Sequence, residues 1–171
     1  MSTSYKPSGY ASVTPYLIVD GAAEAIDFYT DAFGAEEVMR MPMGDRIAHA
    51  EIRIGDSHVM LADEHPDMDL LGPESRGGAT ASLMVYVEDV DATFAEAIEA
   101  GGVEERGVQD QFYGDRSGTL VDPFGHRWTI ATHVEDVGPE EMQRRMAEQG
   151  ERKQETEAGT ESEAEAEAET A

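Results

Sequence analysis

An internal repeat constrains the fold of this chain more than any other feature of its sequence. The first copy reads YLIVDGAAEAIDFYTDAFGAEEV, from Tyr16 to Val38. The second reads LMVYVEDVDATFAEAIEAGGVEER, from Leu83 to Arg106. Each is a short β-rich run, an acidic cap, an amphipathic helical stretch, a Gly stop and a return to extended chain. In the first copy Asp20 is expected to cap the helix and Gly34 to end it in a left-handed turn. Ala22, Ile26, Tyr29 and Phe33 form its apolar stripe, which Phe28 widens. In the second copy Asp89 caps, Val90, Phe94, Ala97 and Ile98 form the stripe, and Gly101 or Gly102 stops the helix.

Strand-like segments follow each helix. They are Glu37–Met41, Arg46–Ile54 and Ser57–Ala62 in the first copy, and Gln109–Tyr113, Thr119–Val121 and Arg127–Thr132 in the second. Gly55-Asp56 suits a tight hairpin. Asp122-Pro123-Phe124-Gly125 is a turn signal, since Pro presets φ at the second position. The sequence therefore predicts an α+β fold of two tandem βαβββ modules, residues 11–65 and 80–134, within a domain spanning 11–147. The Gly-, Pro- and Asp-rich stretch His65–Ala79 connects them. Residues 1–10 read as a flexible lead-in. A last helix, residues 139–148, starts at Pro139, with Glu140 and Glu141 at its positive end and Arg144 and Arg145 further on. Residues 150–171 have low complexity and no large apolar side chain, so they read as a disordered acidic tail.

Charge narrows the partners. The 171 residues carry 37 Asp and Glu against 12 Lys and Arg, a net −25. Nucleic-acid binding needs cations that displace phosphate counterions, and a polybasic membrane surface needs them too. Both are excluded as expectations. Eight Glu against Arg152 and Lys153 put −6 in residues 151–171, which leaves −19 for the rest. Only Lys6 and Lys153 are Lys. An acidic surplus with scarce Lys fits work in molar salt, where self-repulsion is screened, and points to a halophilic source. With no Cys, disulfides, zinc–thiolate sites, iron–sulfur clusters and a cysteine nucleophile are impossible. No apolar run reaches membrane-span length, and MSTSYKPSGY lacks the apolar core of a signal peptide, so a cytoplasmic protein is expected.

The ordered stretches TPYLIVDGAAEAIDFYTDAFGAEEVMRMP, IAHAEIRIGDSHVMLADE, LMVYVEDVD and DQFYGDRSGTLVDPFGHRWTIATH resemble the vicinal oxygen chelate superfamily. That group includes glyoxalase I, extradiol dioxygenases, fosfomycin resistance proteins and bleomycin-binding proteins. More closely, the chain resembles the PhnB-like glyoxalase/bleomycin resistance subgroup, over residues 10–147. The resemblance implies that each module curls its sheet into a half-open cup. Two cups complete a mixed sheet around a cavity, often with a second chain contributing, so a homodimer is expected. It also implies metal ligands on the first, fourth, fifth and eighth strands, usually His or Gln, Glu, His and Glu. Carried over one at a time, these positions fall at Val13 or Thr14, near Leu61, at Ser82 and at Thr129. None is a good ligand for a divalent ion. The expectation is therefore no metal and no cofactor.

Side chains alternate faces along a strand, which separates core from cup. Ala48, Ala50, Ile52 and Ile54 form an apolar set, leaving His49, Glu51 and Arg53 on the cup face. Ser82, Met84 and Tyr86 share that face on the fifth strand. Arg127, Thr129, Ala131 and His133 share it on the eighth, with Trp128 and Ile130 on the core side. The candidate substrate-binding residues are His49, Glu51, Tyr86 and Arg127, joined by Tyr113 and Arg116 from the loop Gln111–Arg116. A solvated strand face with local ion pairs is the alternative for His49, Glu51 and Arg53. For the loop, the alternative is a bulged hairpin in which Asp115 pairs with Arg116 and Gly114 takes an unusual φ. Asp63 and His133 read as strand-end residues, His58 and His65 as exposed turn or loop residues, and His126 as structural. Trp128 reads as core, and Met39, Met41 and Met43 as core packing. The expected function is binding of a small molecule in the sheet cavity, with catalysis left open. Two alternatives stand beside it. One is a metal-dependent glyoxalase or dioxygenase with a displaced site drawn from His49, Glu51, Asp63 or His133. The other is a non-catalytic, drug-sequestering binder of the bleomycin resistance type.

Overall fold

The structure, a computed structural model, describes residues 4–150. The acidic tail expected beyond Gly150 lies outside the described residues. In chain order the elements are β1 (Tyr16–Val19), α1 (Ala22–Phe33), β2 (Glu36–Met43), β3 (Arg46–Ile54) and β4 (Ser57–Asp63). A 3-10 turn (Pro66–Met68) and a short helix, α2 (Pro73–Arg76), occupy the connection. Then come β5 (Ser82–Tyr86), α3 (Val90–Glu99), β6 (Val103–Asp110), β7 (Asp115–Val121) and β8 (Arg127–His133). A final helix, α4, covers residues 139–150. Two four-stranded mixed sheets result, ordered β1-β4-β3-β2 and β5-β8-β7-β6. This is the α+β fold of two βαβββ modules. The described chain divides into two compact units, residues 4–109 with 117–132, and residues 110–116 with 133–150.

Helix α1 ends where expected: Gly34, at φ 62, turns left-handed, and its N–H reaches the Thr30 carbonyl. Its start is a correction. Gly21, at φ 101, turns Asp20 away from the helix, leaving that carboxylate 75% exposed. The cap comes instead from β4, because parallel pairing of β1 with β4 sets Asp63 beside Val19. Asp63 accepts from the N–H groups of Gly21 (2.9 Å), Ala22 (2.8 Å) and Ile47 (2.6 Å). In the second module Asp89 caps α3 as expected, accepting from Ala92 N at 3.1 Å. Thr132 holds the place that Asp63 holds in the first. It accepts from Val90 N at 3.0 Å and donates to the Val87 carbonyl at 2.9 Å.

The core of the first compact unit joins both modules. Leu17, Val19, Ile26, Ile52, Leu61 and Tyr29 from the first meet Val90, Phe94, Leu120, Trp128 and Ile130 from the second. Trp128 is core, as expected. Phe33 lies 4.9 Å from it, ring to ring. The buried Asp122 carboxylate ties this centre to the turn, accepting from Tyr29 OH (2.7 Å) and Trp128 Nε1 (2.9 Å). It also accepts from the N–H groups of Phe124 and His126. Burial pushes the Tyr29 phenol pKa well up, and the neighbouring Asp122 charge adds to this. His126 is structural, its Nε2 lying 3.1 Å from the Ile18 carbonyl. The methionines of β2 are not core: Met39, Met41 and Met43 are 38%, 52% and 47% exposed. β2 is an edge strand, and every one of its residues is exposed.

In the second compact unit, residues 111–114 form the turn between β6 and β7, so the strand expected at Gln109–Tyr113 gives out after Asp110. Gln111 N donates to the Asp115 carbonyl at 2.7 Å and Gly114 N to the Gln111 carbonyl at 3.1 Å. Gly114 sits at φ 99, where an added Cβ would collide with the Glu135 carbonyl oxygen. Arg145 braces α4, donating to Glu135 at 2.8 Å and to Glu141 at 2.7 Å. Arg144 and Arg145 together hold the Glu141 carboxyl down to about 2.

Candidate functional site

The chemistry-bearing residues gather on the face of the first sheet turned away from the core. Pairing aligns that face: Tyr16 lies opposite Met60, Met60 opposite Glu51, Glu51 opposite Met39, and His49 opposite Met41. Ala50, Ile52, Val59 and Leu61 occupy the other face and are buried, so strand alternation delivers His49 and Glu51 together. A hydrogen-bonded chain runs across them. Tyr16 OH meets His49 Nδ1 at 2.8 Å, and His49 Nε2 meets Glu51 Oε1 at 3.2 Å. The second carboxylate oxygen of Glu51 accepts from Tyr10 OH. The Tyr10 ring stacks on His58, with centroids 4.1 Å apart and planes 16° from parallel.

This arrangement keeps Glu51 ionised. The Tyr10 phenol holds its carboxyl below the ordinary range, His49 adds to that, and burial opposes it. Conversely, donating to Glu51 raises the pKa of Tyr10, while burial and the Glu51 charge raise that of Tyr16. Tyr16 also lines an open cavity of about 650 Å³ beside β1. Leu71, Pro73, Thr80, Leu83 and His126 complete much of its wall. Its size suits an organic ligand.

Of the sequence candidates, the structure joins His49 to Glu51. Tyr86 and Arg127 lie on the second sheet, where the Arg127 guanidinium donates to Glu105 at 2.5 Å. Tyr113 and Arg116 belong to the second compact unit, where Tyr113 meets Phe112 edge-on and Arg116 donates to Asp110 at 3.0 Å. His133 in that unit sits between Asp115 (2.8 Å) and Asp136 (3.1 Å), which raise its pKa. Asp63 is committed to three backbone N–H groups. Sequence reasoning missed Tyr10 and Tyr16 and placed His58 in an exposed turn. His58 is instead half-buried beneath Tyr10, and its Nδ1 has no hydrogen-bond partner among the described residues. Strand parity carries a usable signal for His58, since it shares a face with Met60. Nothing local marks Tyr10.

The expected metal positions need one correction. Leu61 is fully buried with Val59, because alternation points it into the core, and Met60 takes the cup-facing place. Thr129 lies opposite Met84 and hydrogen-bonds Thr119 at 3.2 Å, with Arg106 donating to Thr119 at 3.1 Å. Thr14, Met60, Ser82 and Thr129 supply neither imidazole nor carboxylate, so this donor set does not fit a divalent transition metal. Among the described residues, no group of three or more His, Asp and Glu is arranged to hold a metal ion. No helix among them is long and apolar enough to cross a membrane.

Comparison with known proteins sets this geometry in context. The model of the Glyoxalase/Bleomycin resistance protein/Dioxygenase superfamily matches residues 10–130. Uncharacterized protein Mb0911c of Mycobacterium bovis is 42% identical over 144 residues, covering 82% of this chain and 95% of that protein. The crystal structure of TioX from Micromonospora sp. ML1 superposes with a TM-score of 0.57 at 25% identity, covering 75% of this chain and all of that one (100%). A PhnB protein from Bacillus cereus, described as a putative 3-demethylubiquinone-9 3-methyltransferase, has a TM-score of 0.55 at 21% identity, covering 71% of this chain and 99% of that one.

Proposed function

Because the chain belongs to the glyoxalase/bleomycin resistance protein/dioxygenase superfamily, we propose that it is a PhnB-like member that binds a small organic molecule on the cup face of its first sheet. One observation carries this reading. An ionised, buried carboxylate, Glu51, heads a chain of His and Tyr side chains on the face opposite the core. The fold does not require ionisable groups there, since Ala50, Ile52 and Leu61 on the other face supply the packing. Glu51 and His49 orient the ligand by hydrogen bonds, and the thioethers of Met39, Met41 and Met60 supply an adaptable apolar surround. Tyr86 is proposed as a further ligand contact, as is Arg127 once it leaves Glu105; Tyr113 and Arg116 are proposed as ligand contacts belonging to the second compact unit. Binding needs no transition metal, and a cytoplasmic protein of salt-rich surroundings fits the composition.

A His49→Ala/Glu51→Ala double variant tests the reading. It should stay folded and lose any small molecule that mass spectrometry finds with the purified wild type. If the variant retains that molecule at the wild-type level, the cup face is only a solvated strand surface and the proposal fails. Turnover of the molecule by the wild type would make the protein an enzyme; retention without turnover would make it a sequestering binder.

A further inference from the structure

The approach to Glu51 is already occupied by the chain itself. Residues 8–9 and 11–13 are exposed, Val13 82% so, whereas Tyr10 between them is half-buried. Tyr10 makes two contacts of distinct kinds: its ring lies flat on His58, and its hydroxyl donates to Glu51. The segment rejoins the sheet at Pro15, whose carbonyl accepts from Met60 N at 2.9 Å. Tyr10 is neither in the hydrophobic core nor among the apolar side chains packed against it, so lifting it releases a short exposed strap and removes no side chain from that core.

We infer that Tyr10 is a resident competitor, and that the site takes a planar aromatic ring carrying a hydroxyl group, which binds by displacing Tyr10 from His58 and Glu51. This rests on the reading that the Glu51 face is the ligand site, and it names the ligand class. The specificity follows from what Tyr10 leaves behind. Glu51 is 7% exposed and keeps one oxygen on His49. Once the phenol leaves, water can reach the other oxygen, and a ligand that takes the place of Tyr10 and covers it again must supply a donor, because a buried carboxylate stripped of a partner is costly. A bare arene supplies the stack and leaves the carboxylate unpaired, so it is rejected. A site built to hydrogen-bond a hydroxyl discriminates strongly against the analogue lacking it. Met39 and Met60, the cross-strand neighbours of Glu51, accept rings of different widths.

The probes are 2-naphthol, which is wider than a tyrosine ring and so cannot merely refill its space, and naphthalene, which lacks the hydroxyl. Calorimetric titration of the full chain should show 2-naphthol binding about tenfold or more tighter to Tyr10→Ala than to wild type, because the competing closed state is removed. Tyr10→Phe keeps the ring but gives up the hydrogen bond, and should fall between the two. Glu51→Gln in the Tyr10→Ala background should lose most of the gain, and naphthalene should gain nothing. Naphthalene binding as tightly as 2-naphthol would overturn the ligand class. Equal 2-naphthol affinity in wild type, Tyr10→Phe and Tyr10→Ala would overturn the competitor. If that affinity still fell with Glu51→Gln, the cup-face binding reading would survive. Affinity indifferent to both residues would remove the two together.

Discussion

Asp122 is the side chain on which the centre of the first compact unit turns. Its 3%-exposed carboxylate accepts from a phenol, an indole and two backbone amides. Asp122→Ala strands the Tyr29 hydroxyl and the Trp128 N–H in an apolar core. Each buried group left unpaired costs about 1–3 kcal/mol, so urea unfolding should show a loss of about 3 kcal/mol or more. A loss below about 1 kcal/mol would mean that water reaches these groups. His133 makes a pH-dependent contribution. Asp115 and Asp136 raise its pKa in the folded state above the ordinary value of 6.5. Its stabilisation is therefore complete below the unfolded value and is lost as pH rises through the raised folded value. The melting difference between wild type and His133→Gln should be largest below about pH 6.5 and shrink on the alkaline side. A difference that grows with pH contradicts the pairing. These two residues also show what sequence reveals at this scale. The DPFG turn is legible because its signal is local. The Tyr29–Asp122 bond spans 93 positions and leaves no pattern to read. His49 and Glu51 are legible by alternation, whereas Tyr10 reaches Glu51 from a segment with no periodicity at all.

Among the elements, the two helix starts show where a repeat helps and where it misleads. Both copies place an acid ahead of the helix, and a local reading assigns the cap to Asp20 and Asp89 alike. Asp89 does cap, but Gly21 breaks the equivalence in the first copy, and parallel β1–β4 pairing supplies Asp63 in its stead. A capping residue contributed by a distant strand is invisible until the sheet order is known. The two carboxylates therefore separate by experiment. Asp63→Ala should cost about 1–2 kcal/mol, the usual worth of an N-cap, and more if Ile47 N is left unpaired as well. Asp20→Ala should stay within about 0.5 kcal/mol, the range of exposed surface substitutions. The reverse order would restore Asp20 as the cap. The methionines of β2 illustrate the second kind of loss. Met39, Met41 and Met43 alternate as a half-buried strand does, yet edge position leaves all three exposed. Alternation identifies a common face but not whether anything covers it.

At the scale of the whole molecule two properties remain to be reconciled: exposed apolar side chains and a large negative charge. Met39, Met41 and Met43 on the first sheet, with Met84 and Tyr86 on the second, are the kind of surface that a second copy covers. Sedimentation in high salt should then show a dimer, and a species of only 18.6 kDa would reject this. High salt matters because like-charged copies repel at low ionic strength. The same repulsion acts within one chain. Its 37 acids face 12 Lys and Arg, so the acids exceed the cations by 25. Many Arg are already paired, Arg40 with Glu37, Arg53 with Glu36 and Arg145 with Glu135 among them. Added salt acts on both populations with opposite sign. It weakens exposed pairs, each worth about 0–1 kcal/mol, and it screens the repulsion among the surplus acids. The surplus outnumbers the pairs, so salt should stabilise on balance. The screening length falls from about 10 Å at 0.1 M to about 3 Å at 1 M, shorter than most spacings between surface charges. Circular dichroism melts should therefore rise in temperature from about 0.1 M to multimolar KCl. Truncation after Gly150 should preserve most of that rise, since −19 of the charge stays with residues 1–150. Equal melting temperatures at both salt concentrations would show that the acids are spaced widely enough to ignore one another, and the reading of the chain as salt-adapted would fail.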